Sequence, residues 1–188
     1  DPQYHGRMHA HLQDVLPLLD NSRSVLEAAV DRVPESLRRT RPAHDRWSVA
    51  EVLEHLAKVN RFFAERIAAP VAEARPAGLG PERQPRAPLS SDIANKMKDR
   101  TERRQARDIV MPSGTVEYDA VWAELDRARD QVRNAVLAAD GLALGSVTTE
   151  HRFFGVLNVC QWVELTAAHE CRHAEQIREI AAALAKSA

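Results

Sequence analysis

The stretch from Val156 to Ala185 contains neither glycine nor proline. Apolar residues recur along it at helical spacing: Val159, Trp162, Val163, Ala167, Ile177, Ile180 and Ala181, with Thr166 on the same stripe. That period predicts one long amphipathic helix. Such a helix cannot bury its stripe alone, so the rest of the chain must supply partner helices. The stripe also carries His169 and His173. A separation of four residues sets them about 40° apart around the axis and about 6 Å apart along it. Two imidazoles so placed can converge on one metal ion. Trp162, Thr166 and Gln176 fall on the same side.

The preceding chain supplies three further helical patterns. Residues 1–13 read as a polar tail, in which His5, His9 and His11 carry no functional weight. From Asp14 to Val33, Leu18, Leu19, Val25, Leu26, Ala29 and Val30 predict the first helix, with Pro17 in its first turn and Pro34 ending it. The second helix opens with Ser48-Val-Ala-Glu51, a capping box, behind Trp47 in the position of a hydrophobic staple. It runs to Ala69, with Val52, His55, Leu56, Val59, Phe62 and Phe63 on its apolar face. His55 is thus a polar group on a buried stripe and needs a partner. The third predicted helix spans residues 115–139, and Gly141 and Gly145 break the chain after it.

Between the second and third helices lies a long connection. Half of the ten prolines fall between Pro70 and Pro88. A connection of this length in a compact domain serves as a rim or lid over a site, here residues 70–92, or as a partner surface. The run KMKDRTERRQAR, residues 96–107, predicts a short basic helix. Its plain reading is a solvated face, and its sharper reading is a contact for an anionic ligand. There is no strand pattern and no internal repeat. The expected architecture is all-α, a four-helix bundle over residues 14–185 with a long connection between its second and third helices.

A chain of 188 residues is one domain, or one domain with a long insertion. With 28% charged residues and a net charge of −1 it has no basic field to recruit nucleic acid. No apolar run is long enough to cross a bilayer, and the first residues lack a secretory apolar segment. Cys160 and Cys171 lie on the last helix about 16 Å apart, too far for a disulfide. Free thiols without a signal peptide favour the cytoplasm. Both cysteines point away from the histidine pair, which excludes them as ligands.

His55, His169 and His173 are therefore the candidate metal ligands. Three neutral imidazoles with an open position are a catalytic-type donor set, whereas a structural site closes with a fourth protein ligand. The plainer alternative is three separate core histidines. Glu51, one turn before His55, is a candidate ligand or outer hydrogen-bond acceptor, although the capping box already accounts for it. Gln176 can orient a ligand, and Trp162 is either core or a platform for a cofactor. His169-Glu170-Cys-Arg-His173 also matches HExxH, in which Glu170 would be the base of a zinc protease. The short remainder after His173, the missing Gly-x-x-His extension and the lack of strands for a peptide edge argue against a protease.

Two segments together resemble a known family. Trp47-Ser48-Val-Ala-Glu51-Val-Leu-Glu-His55-Leu56 resembles the second-helix motif of the DinB-like (DinB/YfiT-like) superfamily of metal-dependent enzymes. His151-Arg-Phe-Phe-Gly155, Gln161-Trp162 and His169-Glu-Cys-Arg172-His173-Ala-Glu-Gln176-Ile177 resemble its last-helix signature, with Arg152 where proline is common. The resemblance covers about residues 14 to 185. It implies a four-helix bundle, often a homodimer, with nickel or zinc held by three histidines, which map to His55, His169 and His173. Related members include transferases of low-molecular-weight thiols and mycothiol-dependent isomerases.

The expectation is an enzyme that activates water or a low-molecular-weight thiol for S-transfer to, or hydrolysis of, a small electrophilic substrate. Glu51 and Glu170 are its candidate bases, and Gln176 and Trp162 its candidate cofactor contacts. The alternative is a metal-binding stress or structural protein without turnover.

Overall fold

The computed structural model describes residues 8–101 and 106–187. Its helices are α1 (Ala10–Val30), α2 (Val49–Ala74), α3 (Ser91–Lys98), α4 (Tyr118–Leu137) and α5 (Val159–Ser187). Strands β1 (Thr148–His151) and β2 (Gly155–Asn158) form an antiparallel hairpin just before α5. The four long helices make a bundle, and the expected all-α class holds. α1 packs chiefly against α5 and α2 against α4. Of the four long helices, the first thus pairs with the last and the two middle ones with each other. The long connection after α2 permits this order. Among the described residues, no helix is long and apolar enough to cross a membrane.

Several boundaries depart from expectation. α1 begins at Ala10, within the stretch read as tail, because the His9 side chain accepts the His11 N–H and caps it. Burial of Leu12, Val15 and Leu16 then rewards the added turns. Pro17 sits inside the helix at an exposed position instead of in its first turn. α2 likewise continues through Pro70 to Ala74, where Val71 and Ala74 are buried. Among the described residues of the basic run only Lys96–Lys98 are helical, and residues 102–105 lie outside the described part. His5 also lies outside it.

The hairpin was not anticipated. Its strands have four residues each, paired from Thr148 with Asn158 to His151 with Gly155. Four residues are too few to show an alternating pattern, and β2 has its two exposed residues followed by two buried ones. Gly155 has φ +74°, a left-handed value that lets the chain turn into β2. Val156, Leu157 and Asn158 therefore belong to the strand, and α5 starts three residues later than expected.

The capping box of α2 forms as the sequence predicts. Ser48 Oγ accepts the Glu51 N–H at 3.3 Å, and Glu51 Oε2 accepts the Ser48 N–H at 2.8 Å. Glu51 also receives the Arg41 guanidinium, whose Nε lies 2.9 Å from Oε2. α2 thereby starts at a fixed point, two turns ahead of His55.

One polar knot ties the four long helices together. The Glu170 carboxylate, on α5, is fully buried. It accepts hydrogen bonds from Ser22 on α1 and from Asn60 Nδ2 on α2 at 2.8 Å, and pairs with Arg129 on α4. A buried charge is tolerated only with such a full set of partners.

Candidate metal centre

α2 and α5 bring His55, His169 and His173 together. One ring nitrogen from each lies within 4.8 Å of the other two. Nε2 of His169 and Nε2 of His173 are 3.2 Å apart. On a tetrahedral ion with metal–nitrogen bonds of about 2.0–2.1 Å, two ligands stand about 3.3 Å apart. The observed spacing fits two donors to one ion.

The far nitrogens of two of the rings are held. His55 Nδ1 lies 2.8 Å from the Val110 carbonyl oxygen, so it carries the proton and leaves Nε2 free to ligate. His173 Nδ1 lies 2.8 Å from Gln176 Oε1, with the same result. Such outer partners are characteristic of metal-ligating imidazoles. His169 Nδ1 is buried and has no hydrogen-bond partner among the described residues. Burial pushes the pKa values of His169 and His173 well below the ordinary histidine value, with the neighbouring rings adding to the effect. Burial lowers His55 too, against the raising influence of the Val110 carbonyl. All three are thus held in the neutral form that binds metal.

The Val110 carbonyl is itself fixed in place. Glu54 on α2 is buried and accepts the N–H groups of Ser113 at 2.8 Å and Gly114 at 3.2 Å. Lys58 donates to the Met111 carbonyl at 2.7 Å and pairs with Glu54 at 2.9 Å. Trp47 covers His55 from the other side, with ring centroids 5.0 Å apart.

The cluster forms the floor of a cavity of about 710 Å³. That volume suits a small molecule. Phe63, Phe154 and Trp162 line its inner wall. Met97, Arg100, Arg107 and Ile109 contribute to its outer rim. The expected lid at residues 70–92 contributes nothing to the cavity lining among the described residues. That segment is instead latched along the start of α5, where Glu164 accepts the Leu89 N–H at 2.5 Å and pairs with Arg86.

The two candidate bases sit elsewhere. Glu51 is committed to the helix cap and Arg41, and Glu170 to the interhelical knot. Neither lines the cavity. The step from His169 to Glu170 turns the carboxylate about 100° round α5, toward α1 and α4. This removes the zinc-protease reading of the HExxH match. Gln176 and Trp162 do line the cavity, as expected. Both cysteines are free thiols outside the cluster. Burial raises the Cys160 thiol to about 11, which leaves it protonated and inert.

Sequence reasoning did not single out His151, Arg66 and Arg152, which line the cavity beside the hairpin. The signature segment His151–Gly155 was the available signal for His151.

Comparison with known proteins places this geometry in context. The chain is 29% identical over 145 residues to the uncharacterized protein YuaE of Bacillus subtilis (strain 168), covering 74% of this chain and 80% of that one. Its fold matches the crystal structure of TT2238, a four-helix bundle protein, with a TM-score of 0.58 and 21% identity. That match covers 89% of this chain and 98% of the other. The family model of the DinB superfamily matches residues 18–177, a span that includes all three clustered histidines, and the chain belongs to that superfamily.

Proposed function

We propose that this protein is a divalent-metal-dependent enzyme acting on a small electrophilic molecule, with nickel or zinc held by His55, His169 and His173. The observation that carries the reading is the convergence of three neutral imidazoles on the floor of an open cavity. When bound, such a metal supplies Lewis-acid polarisation that lowers the pKa of a water or a low-molecular-weight thiol. The reaction is S-transfer of that thiol or hydrolysis. The chain's own residues do the rest. Val110 and Gln176 set the imidazole tautomers, Trp47 and Phe63 shield the cluster from bulk water, and Trp162 lines the wall against which a substrate lies. The cavity favours an enzyme over a metal-binding structural protein, because a structural site has no use for an approach from solvent. The protein works in the cytoplasm, as a homodimer, on a small-molecule substrate.

The test is metal content by elemental analysis of protein purified without a histidine tag. About one equivalent per chain is expected, as for a single three-histidine site. It is lost in both His55→Ala and His169→Ala, which lie on different helices. Wild-type protein that takes up no zinc or nickel on reloading would sink the proposal.

A further inference from the structure

The end of the cavity beside the hairpin is rich in hydrogen-bond donors that lack acceptors. The indole N–H of Trp162, a residue only 1% exposed, has no partner among the described residues. Nor has the buried Nε–H of Arg66. His151 accepts the Phe153 N–H on Nδ1 at 3.2 Å, which places its own proton on Nε2. The rings of His151 and Trp162 are 5.5 Å apart. All three side chains line the cavity. Buried donors without acceptors are uncommon in folded proteins, and two of them beside a cavity point to an acceptor, such as a water, an anion or a ligand oxygen, that occupies it.

The charge at this end has the same sign. Arg66 is held by its own contacts: its Nη2 donates to the Glu150 backbone oxygen at 2.6 Å, and its carbonyl accepts the Thr149 hydroxyl at 2.6 Å. Arg152 lies over the Phe153 ring at 4.5 Å and has no carboxylate partner among the described residues. Both guanidiniums act electrostatically on His151, which burial and these two charges push down to about 4. His151 is therefore a neutral donor and not a base at neutral pH. Glu150, the acidic side chain at this end, pairs with neither arginine.

We propose that Arg66, Arg152, His151 and Trp162 form a carboxylate subsite, and that the substrate is a small organic acid. Two carboxylate oxygens can satisfy a guanidinium and neutral N–H donors together. From this subsite an apolar wall leads to the metal cluster: Trp162 meets Phe63 at 5.1 Å, and Phe63 meets His169 at 6.1 Å. An aryl or alkyl body along that wall carries its reactive end to the histidines. The assignment deepens the metal-enzyme reading and rests on it for the bound acid being a substrate.

The test uses 4-fluorophenylacetate and its neutral counterpart 4-fluorophenylacetamide, titrated into the full chain and followed by 19F NMR of the probe. Both metal-free and zinc-loaded protein are titrated, with zinc content measured in parallel. The carboxylate is expected to bind about tenfold more tightly than the amide, and about tenfold more weakly to Arg66→Gln and Arg152→Gln than to wild type. Arg152 is exposed, so its variant keeps the fold even if Arg66→Gln does not; thermal melts check both. Equal binding of acid and amide overturns the subsite. So does undiminished carboxylate binding by Arg152→Gln, or binding that requires zinc and ignores the arginines, which would put the carboxylate on the metal. Normal zinc uptake without carboxylate binding removes the subsite and leaves the metal site standing. Carboxylate binding with the expected pattern but no zinc uptake does the reverse.

Discussion

His169 and Glu170 are consecutive in sequence and face different neighbours around α5. The His169 ring lines the cavity beside His55 and His173, while the Glu170 carboxylate lies fully buried against Arg129, Ser22 and Asn60. One residue faces the cavity and the other holds the bundle together. The assignment can be tested through stability and metal content separately.

Glu170→Ala leaves the Arg129 guanidinium, itself largely buried, without its counter-charge. A loss of about 3–5 kcal/mol in urea unfolding is expected, as for other broken buried ion pairs. Metal bound per folded chain stays the same. A protein in which Glu170 served the metal would show the opposite pattern, with stability kept and metal chemistry lost.

Gln176→Ala removes the acceptor that holds Nδ1 of His173. Loss of such an outer partner costs about 10–100-fold in metal affinity. Competition with a chromophoric chelator should register that loss while the stoichiometry stays unchanged. Equal chelator competition by variant and wild type would assign Gln176 to core packing alone.

Glu51→Gln separates a capping role from a catalytic one. Glutamine can still reach back to the Ser48 N–H, so only the charge toward half-exposed Arg41 is lost. The expected cost is under about 1 kcal/mol, with metal content unaltered. Ser48→Ala breaks the box itself and should cost about 1 kcal/mol. A Glu51→Gln variant that binds metal normally but loses all turnover would restore Glu51 as a base.

Stability should fall on mild acidification in the metal-free protein. The folded pKa of His151 is pushed from the ordinary 6.5 to about 4, by burial first and then by Arg66 and Arg152. The unfolded chain therefore takes up a proton that the folded one refuses. The contribution of His151 is fully present above pH 6.5 and is lost progressively as pH falls toward about 4. The three clustered histidines, also lowered, act in the same direction. Urea midpoints measured across that window should decline in wild type and decline less steeply in His151→Phe. Parallel curves for the two proteins would show that His151 titrates normally.

The parts of this fold that could be read from sequence are those fixed by local chemistry. Ser48 and Glu51 cap the same helix start whatever surrounds them. The spacing of His169 and His173 sets their common face, and His55 stood out as a polar residue on an apolar stripe. What the sequence hid depends on distant partners. The Val110 carbonyl is a backbone group in a connecting segment, and nothing in residue identity marks it as the holder of His55. The Glu170 knot draws on four helices whose packing order was open. The hairpin strands are too short to have a period, so the arginine and histidine at that end of the cavity had no visible common site. α1 started early because a histidine, an unusual capping residue, took the role generally filled by serine or aspartate.

The anchoring of Val110 has a mechanical consequence. Glu54 and Lys58 rivet residues 111–114 to the helix that carries His55, and the adjoining Ala106, Arg107, Ile109 and Val110 line the cavity. Wall and ligand therefore share one support. The stretch next to Val110 cannot swing outward like a hinged door without releasing the His55 ring from the carbonyl that aligns it. Traffic into the cavity must run past a standing wall, and any force that pulls that wall open also loosens the histidine cluster behind it.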